Sequence, residues 1–373
     1  MRNLLLVTHV NFWEPGAGHK ARISSLVNHL KTKVRITLAF VGSLDQTGTE
    51  LLNHLYPEIE SIALGDRPGC TYRDYRNKFE VFYRGKLFDL ALIEYIEMSF
   101  VLPFLNKDCV TFLDMHDLVF ERIESFRQND LHYDGIHLSK TQEFQIFDCF
   151  DYVIAIQRRE FEKVIEGINP LRVLLTPHPV NISKMEIRPV VKNIGYLASA
   201  YSPNIDAIHW FLKNVWPKLS TQYNVSLNIY GLVCLHLEKA LSGLRSVILH
   251  GLIENVEEAY RNNDVIINPV RCGAGLKIKN VEALGSGLPL VTTPHGAIGM
   301  DDGRDFAFLV AENIESFTDC LEKLIKNFNF RKLVASKAYQ YALDHFSPAK
   351  CYGDLLRAMT DTDLRAAAGD SHF

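Results

Sequence analysis

The sequence predicts an α/β chain built as two doubly wound, Rossmann-like domains facing across a cleft. Three observations carry this. Short apolar runs of strand length alternate with amphipathic, helix-length stretches from the first residues onward, the pattern of β–α units in a parallel sheet. That pattern breaks off in a polar, proline-bearing stretch and then starts afresh at Asn193. The chain has 373 residues, 47% hydrophobic and 23% charged, which suits two soluble cores and is long for one. The boundaries that follow are an N-terminal domain 1–180, a linker 181–192, a second domain 193–345, and a last segment 346–373 comprising a helix and a small, polar tail over Asp361–Phe373.

Composition excludes several classes. A formal charge of −4 argues against a general nucleic-acid binder. Seven cysteines without paired spacing read as free thiols in a reducing compartment. The opening run MRNLLLVTHVNFW reads as a first strand and lacks the length and cleavage site of a signal peptide. No run approaches the roughly 18 apolar residues of a membrane span. A cytoplasmic protein is expected, with a place at the inner face of a membrane left open.

In the first half, Leu4–Val7 is a strand, Asn11–Gly18 a glycine loop and Lys20–Leu30 a helix, the opening unit of a doubly wound domain. Gly16, Gly18 and His19 lie in this loop; it lacks the third glycine of a dinucleotide fingerprint, so the choice is between a cleft-lining loop and a plain turn. Strands follow at Val34–Val41, Ser61–Leu64, Asp89–Ile93, Val110–Leu113, Tyr152–Ala155 and Val173–Thr176, with helices from Glu50 and over Gln142–Phe150 and Arg158–Ile168. Tyr72–Phe88 interleaves five basic residues with aromatics. It reads either as an ordinary helix with a solvated basic face or as a surface for anionic lipid headgroups or an acceptor. His116 and Asp117 follow the strand ending at Leu113, at the carboxyl edge where open α/β sheets keep ligands. HYDGIH at 132–137 lacks the spacing and acidic partner of a zinc site.

In the second half, strands are read at Asn193–Leu197, Val225–Gly231, Val247–Gly251, Asp264–Asn268 and Leu290–Thr292. Helices are read at Val256–Arg261, Glu312–Phe328, Arg331–His345 and Phe346–Met359. The stretch Asn268–Met300 concentrates the chemistry. A strand enters the turn Gly273-Ala274-Gly275, with Arg271 before it and Lys277 and Lys279 after it, and a short helix carries Glu282. Bare N–H groups in a glycine turn and the following helix N-terminus bind anions, and arginine adds a bidentate fork for a diphosphate. A carboxylate among these cations accepts from sugar or ribose hydroxyls instead. The stretch therefore reads as a site for a sugar joined to a phosphate. Spacing alone leaves Lys279 and Glu282 open as an i,i+3 surface pair.

This stretch resembles the donor-binding motif of the retaining GT-B glycosyltransferases, in the branch where Gly-Ala-Gly precedes Lys and then Glu282-Ala283. The run IGYLASAYSPNIDAIHW, with Asn204, Asp206 and Ala207, is similar as well. The resemblance implies a GT-B fold, a C-terminal helix crossing back to the first domain, and a nucleotide-diphosphate sugar as donor. It implies that Lys277, Arg271 and the Gly273–Gly275 turn hold the diphosphate, that Glu282 holds donor hydroxyls, that Ile253 flanks the base, and that His116 orients the sugar. Relatives carry a further Glu where this chain has Ala274, and an Arg and a Lys where it has Ala198-Ser199-Ala200-Tyr201. Tyr201 then faces the donor as a neutral group.

The expectation is a hexosyltransferase acting without cofactor or metal, with no nucleic-acid partner and with a saccharide, lipid-linked or protein acceptor in surface-glycan or glycoconjugate synthesis. A nucleotide-sugar epimerase and a catalytically inactive nucleotide-sugar-binding subunit are the alternatives.

Overall fold

The computed structural model describes residues 1–67, 69–237, 241 and 243–360. The tail read at 361–373 lies outside the described residues. Seven strands form the first sheet: β1 (Asn3–Thr8), β2 (Arg35–Ser43), β3 (Glu60–Gly65), β4 (Leu90–Glu94), β5 (Val110–Asp114), β6 (Tyr152–Ala155) and β7 (Val173–Leu175). Their order is β3-β2-β1-β4-β5-β6-β7, and each pairing is parallel. The second sheet holds β8 (Asn193–Leu197), β9 (Ser226–Tyr230), β10 (Val247–Gly251), β11 (Val265–Asn268), β12 (Leu290–Thr292) and β13 (Leu309–Val310), in the order β10-β9-β8-β11-β12-β13, again parallel. This is the predicted pair of doubly wound domains.

The central strands are apolar along their length because helices cover both faces. Leu4, Leu5, Leu6 and Val7 of β1 are all buried, and Leu4 pairs with Ile36 on one side and Leu90 on the other. Strand order reverses between β1 and β4 and between β8 and β11, and a crevice opens at each reversal.

The first domain carries α1 (Gly18–Leu30), α2 (Gln46–Leu55), α3 (Tyr72–Tyr83), α4 (Val119–Gln128), α5 (Lys140–Phe147) and α6 (Arg158–Val164). The second carries α7 (Ser202–Asn214), α8 (Trp216–Gln222), α9 (Val256–Arg261), α10 (Ile278–Gly285), α11 (Ile314–Lys326) and α12 (Phe328–Phe346). Helix α3 is shorter than the sequence suggests. It opens on a Thr71–Asp74 capping box and stops at Tyr83, because Gly85 turns to φ +75°. Gly18 opens α1 instead of belonging to the loop before it. The 3₁₀ segment Ile96–Phe104 and the two-residue β13 carry too little periodicity to be read in advance.

Helix α13 (Pro348–Thr360) lies against the first domain. Tyr352 and Ser25 hydroxyls are 3.1 Å apart, and Arg2 donates to the Met359 carbonyl at 2.8 Å. Tyr352, Leu355 and Met359 are buried, each contributing about 1.5–3 kcal/mol of apolar burial. The Val180 N–H donates to the Phe346 carbonyl at 2.9 Å, so the two passages between the domains are bonded to one another. No helix among the described residues is long and apolar enough to cross a membrane.

Candidate functional site

A cleft of about 1080 Å³ separates the carboxyl edges of the two sheets, lined from both domains. Its C-terminal wall is the turn after β11 and the start of α10. Asn268 donates to Asn280 at 2.8 Å and Asn280 to the Gly296 carbonyl at 2.8 Å, so buried amides pin α10 to the sheet. Lys277 stands at the N-cap of α10, with Nζ donating to the Ala274 and Gly275 carbonyls at 3.1 and 2.8 Å. Lys279 donates to Asn204 Oδ1 at 2.8 Å and lies over the Tyr196 ring. Tyr260 donates its hydroxyl to Glu282 Oε2 at 2.8 Å. Burial lowers Lys277 to about 8 and Lys279 to about 7, and raises Glu282 to about 7. All three line the cleft, with Gly273, Ala274, Gly275, Ile253 and Tyr201.

The N-terminal wall is a buried network. Glu94 and Asp114 are register partners at the ends of β4 and β5. Asp114 Oδ2 accepts from Arg22 Nε at 2.8 Å, and Arg22 Nη1 donates to the Thr176 carbonyl at 3.0 Å. His116 Nε2 is 2.6 Å from Glu94 Oε2, and its ring stacks on Tyr95 at 3.8 Å and 1°. Burial and the neighbouring Asp114 raise Glu94 well above the usual carboxylate range, while burial lowers His116 to about 4. The two groups share one short hydrogen bond in a site whose burial disfavours charge on either of them. Tyr95 and His116 have φ of +72° and +62°, a strained backbone for residues with a Cβ. Glu94, Asp114 and His116 bring ligand-type atoms within 4.8 Å of one another. The Arg22 guanidinium already on Asp114 opposes a divalent cation there, so the cluster is better suited to sharing protons than to holding metal.

Gly16, Gly18 and His19 line the cleft as well, with Gly16 at φ +122° packed toward Leu252 of the other domain. Burial, with His116 and His9 nearby, lowers His19 to about 4.

Two readings need correction. Arg271 is not a free cation; it is exposed and donates both Nε and Nη2 to Asp206, at 3.1 and 2.6 Å, because α7 brings that carboxylate beside it. The amides of the glycine turn are not all bare: Gly273 N–H donates to Ser125 Oγ of α4 at 2.9 Å, and the buried carboxyl of Glu160 on α6 lies near Gly275. Glu160 is buried, and burial raises it to about 8. Sequence reading did not find Arg22, Glu94, Arg122, Ser125, Glu160 or Tyr260. Only Glu94 had a local signal, as an acid one residue past a strand read to end at Ile93, on the ligand-binding edge.

Residues 191–327 match the family model described as Glycosyl transferases group 1. An uncharacterized 44.6 kDa protein in the cps region of Klebsiella pneumoniae is 23% identical over 228 residues, 58% of this chain and 58% of that one. Sucrose-phosphate synthase from Thermosynechococcus elongatus superposes with a TM-score of 0.75 at 12% identity, covering 98% of this chain and all of that one, 100%. HepE from Anabaena, in complex with UDP and glucose, gives 0.72 at 14% identity over 97% of this chain and 100% of that one. At these identities the superpositions show the fold, the GT-B arrangement of two Rossmann-like domains. With the family match in the second domain, they support a GT-B glycosyltransferase.

Proposed function

We propose that the chain moves a hexose-type sugar from a nucleotide-diphosphate donor to an acceptor hydroxyl, in surface-polysaccharide or other glycoconjugate synthesis. The observation that carries this reading is the wall Gly273–Glu282. It lies inside the matched region and presents two half-buried lysines and a Tyr260-held carboxylate to a cleft shared with His116. Titles of fold neighbours lend support: HepE was solved with UDP-glucose, and WaaG is described as involved in lipopolysaccharide biosynthesis.

Lys277, Lys279 and the N-terminus of α10 meet the charge that develops on the leaving diphosphate, the place a metal takes in other transferases. Glu282 accepts from donor hydroxyls. His116, held in place by its bond to Glu94, orients the transferred sugar. Retention of configuration comes from the family resemblance. A membrane-borne acceptor suits α3, which exposes Tyr72, Arg73, Arg76 and Val81.

A thermal-shift series with UDP, GDP, dTDP and ADP and their sugars, with Mg²⁺ or with EDTA, tests the reading. One nucleotide should stabilise the fold equally in both media, by about 2.7 kcal/mol at a hundredfold excess over Kd. No shift with any of them sinks the reading, and a shift only with Mg²⁺ sinks its metal independence.

A further inference from the structure

We propose that Arg122, supplied by the opposite domain, adds a further cation to the donor's diphosphate, beside Lys277 and Lys279. This rests on the donor reading above and adds a residue that the donor-domain motif does not contain. The C-terminal wall is short of mobile positive charge. The loop Ala198-Ser199-Ala200-Tyr201 holds no cation, Arg271 is turned away to Asp206, and Lys277 is tied to two carbonyls of its own turn.

Arg122 stands where that charge is needed. It lines the cleft from α4, three residues before Ser125, whose Oγ accepts the Gly273 N–H at 2.9 Å. Positions i and i+3 share a helix face, so Arg122 leaves α4 on the side whose Ser125 holds the glycine turn, and both Arg122 and the turn line the cleft. Its partner Asp117 packs on that turn too, 3.5 Å from where a Cβ on Gly275 would stand. The pairing leaves donors over. Arg122 Nε lies 3.6 Å from Asp117 Oδ1, an ion pair too long for a hydrogen bond, and this buried Nε has no hydrogen-bond partner. Asp117 and the Tyr133 ring, 5.4 Å away, fix the plane of the fork without using it up. A phosphate at the turn receives a planar, charge-assisted contact from one domain and the N-terminus of α10 from the other, so the donor bridges both.

Calorimetric titration of the full chain with UDP, GDP, dTDP and ADP identifies the nucleotide that binds most tightly. Arg122→Ala should then raise the Kd of that diphosphate at least tenfold and leave its nucleoside within about twofold, and Arg122→Lys should recover part of the loss. Equal loss for diphosphate and nucleoside marks a structural role and overturns the proposal, as does an unchanged diphosphate Kd. If Arg122→Ala does not fold, the same comparison is made on Arg122→Lys, where equal or no loss is again fatal. If the unaltered chain binds none of the four, the donor reading itself fails, and Arg122 with it.

Discussion

On the C-terminal wall of the cleft the chemistry sits in one short run, Gly273 to Glu282, whereas on the N-terminal wall it is gathered from α1, from the ends of β4 and β5, and from α4. The run is held by neutral amides and a tyrosine, and its ionisable groups are half-buried and unsettled, with two lysines lowered toward neutrality. The core of the opposite wall is buried and paired within itself, Asp114 with Arg22 and Glu94 with His116, while Arg122 at its rim keeps an Nε without a hydrogen-bond partner. One wall awaits a ligand's charge to settle its protons. The other, paired in this way, faces the cleft as a fixed surface.

Four measurements break or sharpen this contrast. The largest effect should be structural and confined to the matched wall. Arg22→Met leaves Asp114 buried and unpaired, at a cost of about 3–5 kcal/mol, read as a lowered midpoint in urea unfolding. A cost below 1 kcal/mol would show that the network is not matched as described. Next, Glu282→Ala should lower nucleotide-diphosphate release from the sugar donor on the order of a hundredfold while the melting temperature moves little, since a hydrogen bond to a charged group is worth about 1.5–3 kcal/mol. Turnover close to that of the unaltered chain would take recognition away from this wall.

The third prediction concerns protons. A bound diphosphate favours charged lysine, so it raises Lys277 and Lys279 from their free-state values of about 8 and about 7 and draws protons in. Affinity should therefore fall as pH rises from 7 to 9, on the order of tenfold, with proton uptake visible as a buffer-dependent heat in calorimetry. A flat profile would mean that neither lysine touches the ligand. The smallest effect belongs to Arg271. Its exposed pair with Asp206 is worth about 0.2–1 kcal/mol, and Arg271→Ala should leave nucleotide Kd within about twofold.

The same contrast explains what could be read in advance. Apolar alternation located most strands, because a parallel sheet buried on both faces prints its strands as continuous apolar runs. The Gly273–Glu282 wall was legible because its residues are close in sequence and their chemistry is local. Arg271 misled for the same reason: the run shows a cation beside a glycine turn and cannot show Asp206 arriving from α7. Likewise Gly273 and Gly275 read as bare amides until α4 and α6 of the other domain bring Ser125 and Glu160 against them. Arg22 and Asp114 meet across 92 positions of sequence, a distance closed only when α1 packs on the sheet that carries β5.

The two passages of chain between the domains, bonded at Val180 and Phe346, make the connection a door on two pins instead of a ball on a string. A single linker would leave the domains free to swivel and twist. Two bonded crossings narrow the ways in which the halves can sit against one another, and the Gly273 wall meets Ser125 and His116 in one register. The mutual orientation of the two walls is thereby set as the chain folds.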